Sequence, residues 1–168
     1  MVNCWSYTLV EFAEAVRLAQ LKRSLKKGMQ GHDPQFIRGR IEWRAGKHQF
    51  PYSNSDYWAK APIEIADLLP HAFLDPVVFS ASSTDKFTVI GVDEVFTYRS
   101  GEAETSEIDA IKAIRPCPAI STPSHKKHLS GLEIELERGR LVLLRCEEGS
   151  PCFAMWNILL TLVGMKRR

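Results

Sequence analysis

Hydrophobic and polar positions along this chain switch between two periods, and the last third shows both most clearly. Leu132, Ile134 and Leu136 alternate with Glu133, Glu135 and Glu137, the two-residue period of a strand with one wet face. Arg138-Gly139 supplies a turn, and the apolar run 141–144 predicts a more buried return strand. Beyond Gly149, Ser150 is a good helix N-cap, and Pro151 suits the first helical position, where its missing N–H costs nothing. Phe153, Trp156, Leu160 and Val163 recur at helical spacing and predict an amphipathic helix that Gly164 ends.

The N-terminal part begins with a second helical signal. Thr8-Leu9-Val10-Glu11 matches a capping box, in which hydroxyl and carboxylate satisfy exposed amides reciprocally. Leu9, Phe12 and Val16 form one stripe, Leu18, Leu21 and Leu25 a shifted one, and Lys22, Arg23, Lys26 and Lys27 sit near the C-terminal end, where the macrodipole favours cations, before Gly28. Between 29 and 62 the pattern is broken by Gly31, Pro34, Gly39, Gly46 and Pro51, and 36–38 and 41–43 read as short strands around Gly39. A short helix over 63–69, with Ile63, Ala66 and Leu69 inward, ends at Pro70. Strands follow over 76–80, 87–90, 94–98 and 103–108, with turns at 82–85, 91–93 and 100–101. Ile108, Ile111 and Ile114 suit a strand passing into one helical turn, and 116–130, with three prolines, is a loop expected to be mobile.

These elements predict an α+β fold: a bent antiparallel sheet or partly open barrel closed by a C-terminal amphipathic helix, with an N-terminal helical extension. The division falls into 1–75, a helix plus an irregular aromatic and basic segment, and 76–168, the barrel and its helix, packed as one unit. A length of 168 residues, with 45% hydrophobic and 25% charged, suits one such domain. The apolar stretch 151–165 carries Asn157 and Thr161 and is shorter than the roughly 18 to 20 residues of a membrane span, so it is expected in a core. The start Met1-Val2-Asn3-Cys4-Trp5 lacks a basic leader, so a cytoplasmic location with reduced thiols is expected.

Charge is uneven beneath a net +2. Residues 1–60 carry ten Lys/Arg and five Asp/Glu, 61–115 four and ten, and 116–168 eight and five. An acidic middle between basic flanks argues against a uniformly basic nucleic-acid surface and suits a basic protein partner if it forms one face. Cations and aromatics interleave at Arg38, Arg40, Trp43, Arg44, Lys47, His48, Phe50, Tyr52, Tyr57, Trp58 and Lys60. Such mixing either stacks bases and neutralises phosphates or lays the stems of Arg and Lys over rings beside a core. His125-Lys126-Lys127-His128 is a dense polar cluster that would grip a phosphate or acidic partner, or else simply face solvent.

Sequence signatures of catalysis are missing: no Gly-x-Ser-x-Gly elbow, no His-Glu-x-x-His, no phosphate-cradling Gly-rich loop and no deaminase set. Cys146 and Cys152 have no second pair nearby and read as buried thiols rather than zinc ligands. No metal or cofactor is expected.

Meander, connecting segment, hairpin and closing helix resemble, over about residues 76–165, the pleckstrin-homology-like barrel and its bacterial relatives. The resemblance rests on the order of elements, most specifically on the unit 132–163, in which the helix would plug one open end of a bent sheet and bury Trp156. That family has seven strands against six counted here, so 36–43 is expected to supply another. Phosphoinositide-binding members carry Lys or Arg in the first hairpin loop, whereas the turn matched to it, Gly91-Val92-Asp93-Glu94, is acidic. The expectation is a non-catalytic protein that docks another protein, such as a bacterial toxin-neutralising immunity protein or adaptor. In it Asp93, Glu94, Glu102, Glu104, Glu107 and Asp109 would steer a basic partner and Tyr98 would anchor it. Two alternatives stand beside it. One is a peripheral membrane module using the basic N-terminal helix and the Lys166-Arg167-Arg168 tail; the other is a nucleic-acid binder through residues 38–60. An anion site would use Arg38, Arg40, Arg44, His125, Lys126, Lys127 and His128.

Overall fold

A computed structural model describes residues 33–120 and 126–166; the helix expected over 8–28 and His125 lie outside them. Where two short strands were expected around Gly39, the chain forms one helix, α1 (Pro34–Lys47). Asp33 is its N-cap, accepting from the Gln35 N–H at 3.3 Å, and Pro34 takes the first helical position. Ile37, Ile41 and Ala45, four apart, are buried on one stripe. A mid-helix glycine costs about 1 kcal/mol relative to alanine, which burial of two isoleucines outweighs.

Strand β1 (Ser55–Tyr57), a 3₁₀ turn (Trp58–Lys60) and the single-turn helix α2 (Ile63–Ala66) follow. In α2 it is Ile65 that points inward while Ile63 is 66% exposed, against expectation, whereas Leu69 packs on the second core as expected. One turn has no periodicity to average, so a single aromatic neighbourhood sets its orientation. Strands β2 (Pro76–Ser83), β3 (Lys86–Gly91), β4 (Glu94–Arg99) and β5 (Glu102–Glu107) form an antiparallel meander, and β1 adds to the β2 side to give the order β1-β2-β3-β4-β5. The first hairpin of this meander therefore turns at Thr84-Asp85, and the acidic 92–93 turn belongs to the second.

At the corner, the helical turn Ile108–Ala110 precedes strand β6 (Ile111–Pro116), the opposite order to that expected. The three-residue turn places Ile108 and Ile111 above one another, and both enter the core. With β7 (Gly131–Leu136) and β8 (Leu141–Arg145), β6 makes a second antiparallel sheet, β6-β7-β8. Strand β6, not 36–43, is thus the seventh strand between 76 and 145. In β8 only Val142 and Leu144 are buried along with their neighbour Cys146, while Leu141 is half exposed, so the return strand alternates rather than being buried throughout.

The two sheets do not close into a barrel. Side chains bridge the seam instead: Thr88 Oγ1 donates to the Arg145 carbonyl at 2.8 Å and Thr97 Oγ1 reaches the Leu143 carbonyl at 3.3 Å. Because Thr88 and Thr97 are cross-strand partners, one buried threonine pair satisfies two carbonyls of β8.

Helix α3 (Ser150–Lys166) covers the main core and packs against α1, with Arg44 Nε donating to Thr161 Oγ1 at 3.0 Å. Its first residue is Ser150, one earlier than expected, since the Phe153 N–H bonds the Gly149 carbonyl at 3.1 Å. Gly164 does not end it. The buried face is Cys152, Met155, Ile158, Leu159 and Leu162, while Leu160 is 47% exposed. This helix is apolar nearly all round, so sequence offers several stripes and packing against α1 selects among them. A second core lies on the far side of the first sheet, where Phe79, Phe87, Val89 and Phe96 meet Ile65 and Phe73.

Candidate functional site

Strand β5 ends the first sheet, pairing with β4 and with no other strand among the described residues. Its hydrogen-bonding phase follows from one contact, the Ile108 N–H to Asp93 carbonyl bond of 2.9 Å just beyond the register pair Glu94 and Glu107. Antiparallel alternation then puts the ladder bonds at Val95/Ser106, Thr97/Glu104 and Arg99/Glu102. The N–H and C=O of Ala103 and Thr105 point away from β4. Both residues are exposed, so β5 presents a short open edge.

The predicted acidic residues surround this edge without sharing one face. Glu94 and Glu107 are opposite one another on the Tyr98 side, and Glu102 and Glu104 occupy the other side. Asp93 and Asp109 lie at the Ile108 corner. Two arginines balance part of the charge: Glu104 pairs with Arg140 at 3.0 Å, and Glu102 with Arg99. Such exposed pairs are worth about 0–1 kcal/mol and exchange readily for an incoming cation. Tyr98 is half-buried, its ring stacked on Phe87 with centroids 5.4 Å apart. It borders Ala103 and forms a floor beside the edge rather than a projecting anchor.

The cationic residues form two separate groups: Arg40 and Arg44 flank the Trp43 ring on α1, at 4.9 and 5.5 Å from its centroid, and 126–128 lie in a turn elsewhere. Arg38 donates to the Pro76 carbonyl at 3.3 Å and lies 3.9 Å from Glu42, and Arg44 is tied to Thr161. Lys126 opens a 3₁₀ turn (Lys126–His128); Lys127 is exposed and His128 faces Glu148 at 3.2 Å. Phe50 and Tyr57 pack into the main core and Trp58 lies against Phe79 of the second, so these three aromatics of the 38–60 segment are divided between the two cores.

A polar network that sequence reading missed pins β1 in place. The Glu147 N–H donates to Ser80 Oγ at 2.9 Å, the Ser80 and Ser55 hydroxyls are 2.8 Å apart, Ser55 donates to Glu147 Oε2 at 2.7 Å, and the Asn54 N–H reaches the same oxygen at 2.9 Å. Donors and acceptors close a ring if Ser80 donates to Ser55. Glu147→Ala leaves the buried Ser55 hydroxyl without its acceptor, so an expected loss of about 1–3 kcal/mol should appear in urea unfolding, with Ser55→Ala costing little more in the double variant. Beside it lies a cleft of about 350 Å³ lined by Asn54, Asp56, Lys60, Phe79, Ser82 and Thr84. Burial, then the Glu147 charge, raises the Tyr52 hydroxyl above its ordinary pKa.

Cys117, Cys146 and Cys152 are buried free thiols. A hydrogen bond with Cys146, then burial, pushes the Cys152 thiol up, away from the thiolate that nucleophilic or metal chemistry requires. Among the described residues no group of three His, Cys, Asp or Glu side chains is placed to hold a metal ion, and no helix is long and apolar enough to cross a membrane.

These features define an α+β protein of two antiparallel sheets flanked by helices, with an open, acid-rimmed sheet edge. Comparison with family models, with curated proteins and with solved structures returns no match.

Proposed function

We propose that this chain is a non-catalytic protein-docking module that adds a basic, extended segment of its partner to the edge of β5. The observation that carries the reading is the outward-facing main chain of Ala103 and Thr105 on an exposed strand rimmed by Glu102, Glu104 and Glu107. Main-chain bonds give such strand addition its affinity, and side chains at alternate positions give it specificity. Lysine or arginine two residues apart in the partner would meet Glu102 and Glu104, displacing Arg99 and Arg140. A small adaptor, or an immunity protein that neutralises a basic toxin, uses a surface of this kind.

The scaffold reading is a pleckstrin-homology-like plan over about residues 76–165. Its support is the order of a four-strand meander, a three-strand sheet and a closing helix, to which α1 and β1 add on one side and the 58–73 segment on the other.

The test uses fluorescent decapeptides with Lys or Arg at alternate positions, read by anisotropy and by amide shifts. Basic peptides should bind and move the Ala103 and Thr105 amide signals, and acidic counterparts should not. Thr105→Pro removes one outward donor at a place an edge strand tolerates, and should lower affinity about tenfold or more with little loss of stability. Basic peptides that bind equally well to Thr105→Pro, or shift amides elsewhere, would overturn the assignment.

A further inference from the structure

The cleft of about 350 Å³ beside β1 lies at the opposite edge of the first sheet from β5. Its volume is at the small end of ligand sites, which run from roughly 300 to 1,000 Å³, and suits one compact molecule. Its walls are held before anything binds. The Ser55, Ser80 and Glu147 network pins β1, the Ala81 N–H donates to the Asn54 carbonyl at 2.9 Å, and Ser82 Oγ, at the β2–β3 turn, donates to the Lys86 carbonyl at 3.1 Å.

The lining selects the ligand. Asp56 and Lys60 are the two ionised side chains among the lining residues, so the cleft carries no net charge. A phosphate would meet one cation already beside a carboxylate, and a metal ion would find one carboxylate where several oxygen ligands are needed. Asp56 Oδ1 accepts from the Tyr57 N–H at 2.7 Å, which fixes the carboxylate, while Oδ2 stands 3.9 Å from Lys60 Nζ, too far for a hydrogen bond. A hydroxyl placed there can accept from Lys60 and donate to Asp56, gaining two charge-assisted bonds. Around this pair the Ser53 and Thr84 hydroxyls and the Asn54 carboxamide, each able to donate and to accept, have no hydrogen-bond partner among the described residues. Ile65, Phe79 and Ala81 supply an apolar part of the lining. An apolar ligand would strip water from the polar rim without replacing its bonds, and a zwitterionic amino acid would use Asp56 and Lys60 but leave the rim unmatched.

We infer that this cleft binds a neutral pyranose sugar, which carries several hydroxyls around its edge and a face of C–H groups. One hydroxyl sits between Asp56 and Lys60, its neighbours meet Ser53, Asn54 and Thr84, and the C–H face rests on the apolar lining. The site is separate from the β5 edge, and either assignment stands without the other.

The experiment is titration of the full chain with glucose, galactose, mannose and N-acetylglucosamine, followed by amide shifts. At least one of the four should move the amides of 53–56 and 81–84 with a dissociation constant on the order of millimolar, as a ligand of about a dozen heavy atoms allows. Methyl glycosides of the same sugars distinguish the terminal residue of a glycan, which they mimic, from a free monosaccharide, whose anomeric hydroxyl they lack. Asp56→Asn keeps an acceptor for the Tyr57 N–H but loses the charge, and should weaken binding about five- to tenfold. Lys60→Met, at a mostly exposed side chain, should weaken it about fivefold. Thermal melting checks that both variants keep the fold. Three results would overturn the inference: no shift of these amides with any of the four sugars, binding undiminished in both variants, or shifts given by alanine or inorganic phosphate and not by the sugars.

Discussion

Leu159→Ala should destabilise the protein by about 2–5 kcal/mol, while the same change at its neighbour Leu160 should stay within about 0.5 kcal/mol. Leu159 is fully buried in the main core beneath α3, whereas Leu160 is half exposed. Removing three carbons at the first site loses the transfer energy of the side chain and leaves a cavity that the surrounding sheet can only partly fill. At the second there is nothing to collapse. The pair therefore reads the rotational setting of α3 directly, by urea unfolding or by melting temperature, which for a chain of this size moves roughly 2–4 °C per kcal/mol. Equal effects at the two positions, or a larger one at Leu160, would mean that α3 is turned by about a quarter of a revolution from the orientation described above.

Phe96→Ala should be comparably severe, at about 3–5 kcal/mol, although it lies far from α3. Phe96 is fully buried on the other side of the first sheet, with ring centroids 5.9 Å from Phe87 and 6.2 Å from Phe73. Phe87 in turn stacks on Tyr98, so the loss spreads into the floor beside the β5 edge. Phe73 comes from the segment that covers this face, and Gly91 allows its ring to approach closely, since a Cβ there would lie 2.9 Å from Phe73 Cε1. Phe96→Leu, which keeps most of the volume, should recover a large part of the loss. Hydrogen exchange offers a local check: amides of 63–73 should lose protection in Phe96→Ala before those of β6 to β8. Unchanged melting would show that the 58–73 segment does not depend on the second core.

Much of the chain could be read without coordinates. Alternation over 132–136 placed β7, and the turn residues Ser100-Gly101 and Arg138-Gly139 marked real hairpins, in each of which a residue with positive φ precedes a positive-φ glycine. Other signals were present and outweighed. Asp33-Pro34 is a helix start, and Ile37, Ile41 and Ala45 are four apart, but Gly39 and Gly46 interrupt the pattern enough to resemble two strands. For α3 the difficulty was the reverse, because apolar residues on nearly every side left more than one acceptable stripe. The candidate site was legible only as a list of charges. That Glu102 and Glu104 face one way and Glu107 the other follows from strand parity, but that β5 is the last strand of its sheet depends on where β6 goes.

Local covalent chemistry and periodicity determined that this protein alternates strands and turns through its middle, closes with an apolar helix and carries its acidic residues around β4 and β5. Tertiary contacts decided the rest. Which face of α3 is buried, how the Thr88 and Thr97 hydroxyls bridge two unclosed sheets, how Ser55, Ser80 and Glu147 meet across 92 residues of sequence, and which strand keeps an open edge are relations between distant segments. Propensity and spacing act over a few residues, so they fix the type of an element. The surface it buries and the edge it exposes depend on the neighbour with which it packs best.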